Sequence, residues 1–244
     1  MKQMWQALQQ RPWWQLMLLA LLLRLALAPI NSHHAYNFDF RCFWEAGNLV
    51  ADGLNPYLHT PRLNYGPLSA WLEGGLVLLA RQTPWPVHSF RLLLVLVFAG
   101  ADLALATQLR RYGGTGAALL FLLSPLAILT SGFHGQWDVA ALALGLAGVL
   151  SLHHPPTRKN LGWAMLLLGL SLALKHTLLL LPLWLALRPG QPSLRRLALL
   201  VGPLVLFAAS FLPYSFSQAG REAIYQNVLA YSSFHNAPLY QWLP

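Results

Sequence analysis

The sequence predicts an all-α, polytopic transmembrane helical bundle of about seven spans, and three observations carry that expectation. Only 9% of the 244 residues are charged and 56% are hydrophobic, whereas a soluble domain carries about a quarter charged residues. Apolar runs recur from Trp13 to Ile30, Leu92 to Leu109, Gly116 to Thr130, Val139 to Leu152, Leu161 to Leu187 and Leu197 to Leu212. Their lengths suit helices crossing a hydrocarbon core of about 30 Å. The runs do not alternate apolar with polar residues, as the roughly 10-residue strands of an outer-membrane barrel would.

Taken in order, residues 13–30 form the first span. Its end, Leu25-Ala26-Leu27-Ala28, has the look of a signal-peptide cleavage site, but Arg24 interrupts the apolar stretch and many spans follow, so an uncleaved span is expected. With Lys2 and Arg11 on the cytoplasmic side, residues 31–89 become a long first outer loop. Within it Phe40, Phe43, Trp44, Gly47, Val50 and Ala51 recur at helical spacing, and Arg41 and Glu45 stand at i, i+4, placed to pair on a short helix at the membrane surface. Gly53-Leu-Asn-Pro56 reads as a turn, and Pro67 suits the first position of a second helix over 67–80. That helix is interfacial or a short span; if it spans, every later orientation reverses.

A span over 91–109 returns to Arg110-Arg111, and spans 117–133 and 139–152 go out at His134-Gly-Gln-Trp-Asp138 and back at Arg158-Lys159. The 27 residues from Leu161 to Leu187 allow one tilted helix about 40 Å long or two short helices meeting at Lys175-His176-Thr177. Two are preferred, because they keep Arg188, Arg195 and Arg196 inside. A last span over 195–213 sends residues 214–244 outward as a tail that opens a further loop. Residues 1–213 make the transmembrane module.

This topology leaves nine of the sixteen basic residues on the cytoplasmic side, and six of the seven acids outside or at outer span ends, Asp102 being the exception. Binding or chemistry is therefore expected on the outer face. The net charge of +9 is scattered in ones and twos between apolar runs, a topology signal and not a nucleic-acid surface. Cys42 is the only cysteine, which excludes an intramolecular disulfide. His33-His34 and His153-His154 fall on opposite faces and make no metal set.

Four motifs then occur in a telling order: Asp39-Phe-Arg-Cys-Phe-Trp44, Asn64-Tyr-Gly-Pro-Leu68, His134-Gly-Gln-Trp-Asp138 and Leu172-Ala-Leu-Lys-His176. Together they resemble the GT-C superfamily of membrane glycosyltransferases, over about residues 13–213. The nearest echoes are the glucosyltransferases of asparagine-linked glycan assembly, with an acidic-aromatic stretch and an Asp-Tyr-Pro-Pro-Leu motif in the first loop, and the bacterial polyprenol-phosphate mannosyltransferases. Here Asn64, Gly66 and Asp138 stand where the family has Asp, Pro and Asn. The resemblance implies a seven-span module with two juxtamembrane helices, and a family that continues with further spans. It also implies transfer of a hexose from a polyprenyl-phosphate carrier to a glycan, lipid or protein acceptor by inverting displacement. Apart from the resemblance, a bacterial plasma membrane is expected ahead of the endoplasmic reticulum.

On that resemblance Asp39 is the general base, its other reading being a cap for the following helix. Lys175, a lysine inside an apolar run, and His176 would hold the donor phosphate. His134, Gln136 and Asp138 form a compact polar cluster for sugar or phosphate, and Tyr57, Asn64 and Tyr65 shape an acceptor groove. Each has a plainer reading as a snorkelling lysine, a polar turn or interfacial aromatics. Arg24 and Asp102 are expected to pair as a structural lock. No cofactor is required by the pattern, with a divalent metal left open. The alternatives are a transporter or flippase of lipid-linked sugars, for which no second half is evident, or a non-catalytic membrane subunit.

Overall fold

The computed structural model describes residues 8–29, 38–61, 63–153 and 157–230, and among them every regular element is a helix. In chain order these are α1 (Trp13–Leu25), α2 (Phe38–Ala51), α3 (Pro56–His59), α4 (Pro67–Ala80), α5 (Pro86–Leu122), α6 (Pro125–Ile128), α7 (Asp138–Ser151), α8 (Arg158–Leu174), α9 (Leu181–Ala186), α10 (Ser193–Ser210) and α11 (Gln218–Ile224). Two of the first-loop helices, α2 and α4, fall where the sequence reading expects them, and a short α3 follows the expected turn at Gly53-Leu-Asn-Pro56. Asn55 caps α3 by accepting from the Tyr57 N–H at 3.0 Å, and Pro67 starts α4 at a position where no N–H is needed.

Among the described residues two segments are long and apolar enough to cross a membrane, α5 and the stretch Ser193–Tyr214 that α10 opens. Trp13–Leu25, Pro67–Ala80, Asp138–Ser151 and His176–Ala186 are apolar but shorter. Of the about seven spans expected, two therefore have the length of a full crossing, and backbone breaks supply the reason. Two of the apolar runs are cut inside. Gly116–Thr130 is divided at Ser124, where Pro125 opens α6 and a π-helical turn, Leu129–His134, follows. Leu161–Leu187 is divided at Lys175, whose extended backbone (φ −153°, ψ 126°) ends α8 before a 3-10 turn at His176–Leu178. Of the two readings of that stretch, the pair of short helices is the one adopted. α5 itself bends at Gly114, where φ is +79°, a conformation glycine adopts without a Cβ clash. The turn follows Arg110-Arg111, where the sequence reading places a return.

α8 packs between α7 and α10, α2 packs on α4, and α1 on α5. The α2–α4 crossing is close: a Cβ on Gly47 would stand 2.9 Å from the Glu73 carbonyl oxygen, so the interface uses a small residue to bring backbones together. The aromatic core lies where α2, α5 and the 134–138 loop meet. Trp137 is fully buried, with its ring edge-on to Phe98 at 5.0 Å and to Phe43 at 6.4 Å. The chain after α10 folds back onto this end. Asn227 donates to the carbonyls of Tyr57 at 2.9 Å and Thr60 at 3.3 Å, and Asn55 donates to the Tyr214 carbonyl.

The Arg24–Asp102 lock forms. Arg24 Nε meets Asp102 Oδ2 at 2.5 Å, both side chains are buried, and Arg24 Nη1 also reaches the carbonyls of Ala20 and Leu122. One guanidinium thus joins α1 to both limbs of the bent α5. The Arg41–Glu45 pair does not form among the described residues. An i, i+4 pair contributes only about 0.2–0.5 kcal/mol, and less with the acid second, too little to hold two long side chains together. Instead both line an open cavity of about 640 Å³ with Trp44, Asn48 and Asp52. The ion pair on its rim joins Arg81 to Asp52 at 2.6 Å. Removing one member of the buried lock leaves the other unpaired, so Asp102→Leu should lower stability by about 3–5 kcal/mol, whereas Arg24→Leu with Asp102→Leu should lower it far less. Reversible unfolding in mixed micelles measures both.

Candidate functional site

The site is assembled from the broken end of α8 outward. Because α8 stops at Leu174, its last carbonyls need partners, and the Gly66 N–H takes that of Leu174 at 3.2 Å. A Cβ at position 66 would lie 2.1 Å from the Ala173 carbonyl oxygen, so only glycine lets the 64–66 loop lie flat on this helix end. The docked loop sets Tyr65 beneath Lys175, with Nζ 5.0 Å from the ring centroid. The Tyr57 hydroxyl holds the loop from the other side by donating to the Tyr65 carbonyl at 2.9 Å.

The π-helical turn at Leu129–His134 ends in Gly135, with φ +76°, and Asp138 opens α7. This short connection sends alternate side chains to two partners. His134 Nε2 lies 3.0 Å from Asp39 Oδ2, and Gln136 Nε2 donates to the same oxygen at 2.9 Å. Asp138 Oδ2 accepts from Lys175 Nζ at 2.5 Å. Asp39 itself sits in the first turn of α2, where a carboxylate is favoured by the helix dipole.

The electrostatics separate two regions. Asp39 is a partly exposed carboxylate held by an imidazole and an amide, an arrangement able to accept a proton. Lys175 is a partly buried ammonium already paired with Asp138 and seated on an aromatic face, so an incoming anion would share or displace that carboxylate. Between them lies Tyr65. Its burial first, and then the nearby carboxylates of Asp39, Asp138 and Glu73, push its phenol well above the usual range, which keeps it a hydrogen-bond donor. Among the described residues no three His, Cys, Asp or Glu side chains gather as a metal site; His33, His34 and His154 lie outside those residues.

Five of the residues singled out from sequence are therefore brought into two contacting sets, Asp39 with His134 and Gln136, and Asp138 with Lys175, and Tyr65 lies against Lys175. Tyr57 acts one step back, through the Tyr65 carbonyl. Asn64 is half-buried, with no side-chain hydrogen bond seen among the described residues. His176 turns from the cluster toward the Phe207 ring, 6.5 Å between centroids, with Nδ1 buried and unbonded. Two buried residues escaped the sequence reading. Glu73 accepts from the Trp137 indole at 2.7 Å, and Arg91 donates to the carbonyls of Gly132 and Phe133. Each had a signal, a lone charge within or at the head of an apolar stretch, but Arg91 reads equally well as a topology residue.

Comparison with protein-family models, with curated proteins and with solved structures finds no match.

The docking of the 64–66 loop is testable by its steric limit. Gly66→Ala should lower stability by about 1–3 kcal/mol. Gly75→Ala, at an exposed helical position with no atom in reach of a new Cβ, should be neutral or stabilising by about 0.5–1 kcal/mol. Chemical unfolding of both variants in mixed micelles gives the comparison.

Proposed function

We propose that this chain is a membrane glycosyltransferase module that moves a hexose from a polyprenyl-phosphate carrier to an acceptor hydroxyl by inverting displacement. The supporting observation is convergence. Asp39, His134, Gln136, Asp138 and Lys175 come from parts of the chain far apart in sequence, and they meet in two hydrogen-bonded sets at one end of the bundle. In this reading Asp39, oriented by His134 and Gln136, takes the acceptor proton as the new oxygen–C1 bond forms. The C1–phosphate bond breaks on the opposite face, and the departing lipid phosphate takes charge stabilisation from Lys175.

A bilayer setting supports the reading. α10 buries only Leu199 and Pro203, while Leu194, Leu197, Val201, Val205 and Leu206 are exposed, an apolar face suited to lipid. We propose seven crossings, several of them by short or broken helices that border a polar cavity, with α2 and α4 as juxtamembrane helices. Along α8, Arg158 and Lys175 are separated by about 25 Å at 1.5 Å per residue, which sets the basic Arg158-Lys159 pair on the side away from the cluster.

One observation favours a transporter of the same lipid-linked sugars: a discontinuous helix at Lys175 facing polar groups is a feature of transporter sites. The two readings part on the product. The purified chain in liposomes, given synthetic polyprenyl-phosphate hexoses and acceptor, should form a new glycosidic bond. Asp39→Asn should lower the rate by about 100- to 10,000-fold, and Lys175→Ala by about 100-fold or more. Transbilayer movement of the carrier without transfer would establish the transporter, and full transfer by Asp39→Asn would remove that residue from the chemistry.

A further inference from the structure

The loop that carries three of the site residues is held at both ends by buried charged side chains that touch none of the reacting groups. Arg91 lies at the head of α5 and is almost fully buried. Its Nη2 donates to the Gly132 carbonyl at 3.0 Å and to that of Phe133, the residue before His134. The same guanidinium stands 5.4 Å above the ring of Phe40, the residue after Asp39. It also occupies the space a side chain at position 135 would need, since a Cβ on Gly135 would lie 3.0 Å from Nη1. At the loop's other end, Glu73 of α4 is fully buried, and its Oε1 accepts from the indole of Trp137, which stands between Gln136 and Asp138.

Neither residue is placed as stability alone would place it. Arg91 has no carboxylate partner among the described residues, and its Nε and Nη1 are buried without a hydrogen bond, as is Glu73 Oε2. Buried polar groups left unmatched are costly, and an apolar core of the same shape would be as stable or more so. What the two do achieve is geometric. Arg91 ties the neighbours of Asp39 and of His134 to one rigid plane, and Glu73 fixes the indole between the two side chains that reach Asp39 and Lys175.

We propose that Arg91 and Glu73 are positioning residues that clamp the 132–138 loop, setting His134 and Gln136 on Asp39 and Asp138 on Lys175. The kinetic part of this rests on the transferase reading; the clamp itself does not. A loose loop leaves the substrates' binding groups in place but misaligns the base, and a misplacement of about 1 Å costs about 100-fold in rate. The loss therefore falls on kcat.

The test combines hydrogen–deuterium exchange with transfer kinetics on the full chain in liposomes, using Glu73→Leu, Arg91→Met and the acceptor-preserving Glu73→Gln. Glu73→Leu and Arg91→Met should speed exchange across 129–138 at least tenfold, with α10 exchanging as in the wild type. They should lower kcat at least tenfold, with KM for the donor within twofold, while Glu73→Gln stays close to wild type in both readouts. Unchanged exchange over 129–138 in Glu73→Leu and Arg91→Met would overturn the clamp. So would loosening that spreads equally to α10, or a looser loop at full kcat. If the wild type transfers no sugar, the transferase reading falls and the exchange data alone decide whether the loop is clamped.

Discussion

The early termination of α8 is the constraint on which the remaining geometry rests. A helix continued through Lys175 would satisfy its own carbonyls and carry the lysine around onto another face of the helix. By stopping at Leu174 it exposes acceptors that need partners from outside the helix, and the Gly66 N–H meets one of them. Tyr65 then has to lie under the ammonium, and Lys175, in extended backbone, is free to reach Asp138 at the start of α7. One break in one helix thus recruits the first loop and the 134–138 connection to the same place.

The two polar sets that result differ in kind. Around Asp39 the partners are a histidine and an amide. Around Lys175 the partner is a second carboxylate, and an ion pair seated on an aromatic ring is a closed arrangement until an anion competes for it. Tyr65, held neutral by burial and by the carboxylates around it, separates the sets without bridging their charges. The aromatic core of Phe43, Phe98 and Trp137 packs against them and keeps their backbones from drifting.

Much of this was legible from residue order. The starts of the first-loop helices followed from Pro67 and from the spacing of Phe40 to Ala51, the Arg24–Asp102 pair from two isolated intramembrane charges, and the division at Lys175 from the unfavourable length of its run. The break at Ser124-Pro125 was not legible, because hydropathy sums over residues and does not register a backbone break inside an apolar stretch. Convergence of Asp39 with His134 and Gln136 could be suspected from motif order, but contact between them depends on tertiary packing. Arg91 and Glu73 were hidden for a related reason: a buried charge is identified by what surrounds it, and the surroundings of Glu73 come from Trp137, 64 residues away.

Asn227 closes this end of the molecule by holding the carbonyls of Tyr57 and Thr60, 170 and 167 residues earlier in the chain. A ribosome adds about 5–20 residues each second, so the first loop is complete some 10–30 s before the residue that fastens it exists. The polar end is therefore fastened only after the helices beneath it have been made.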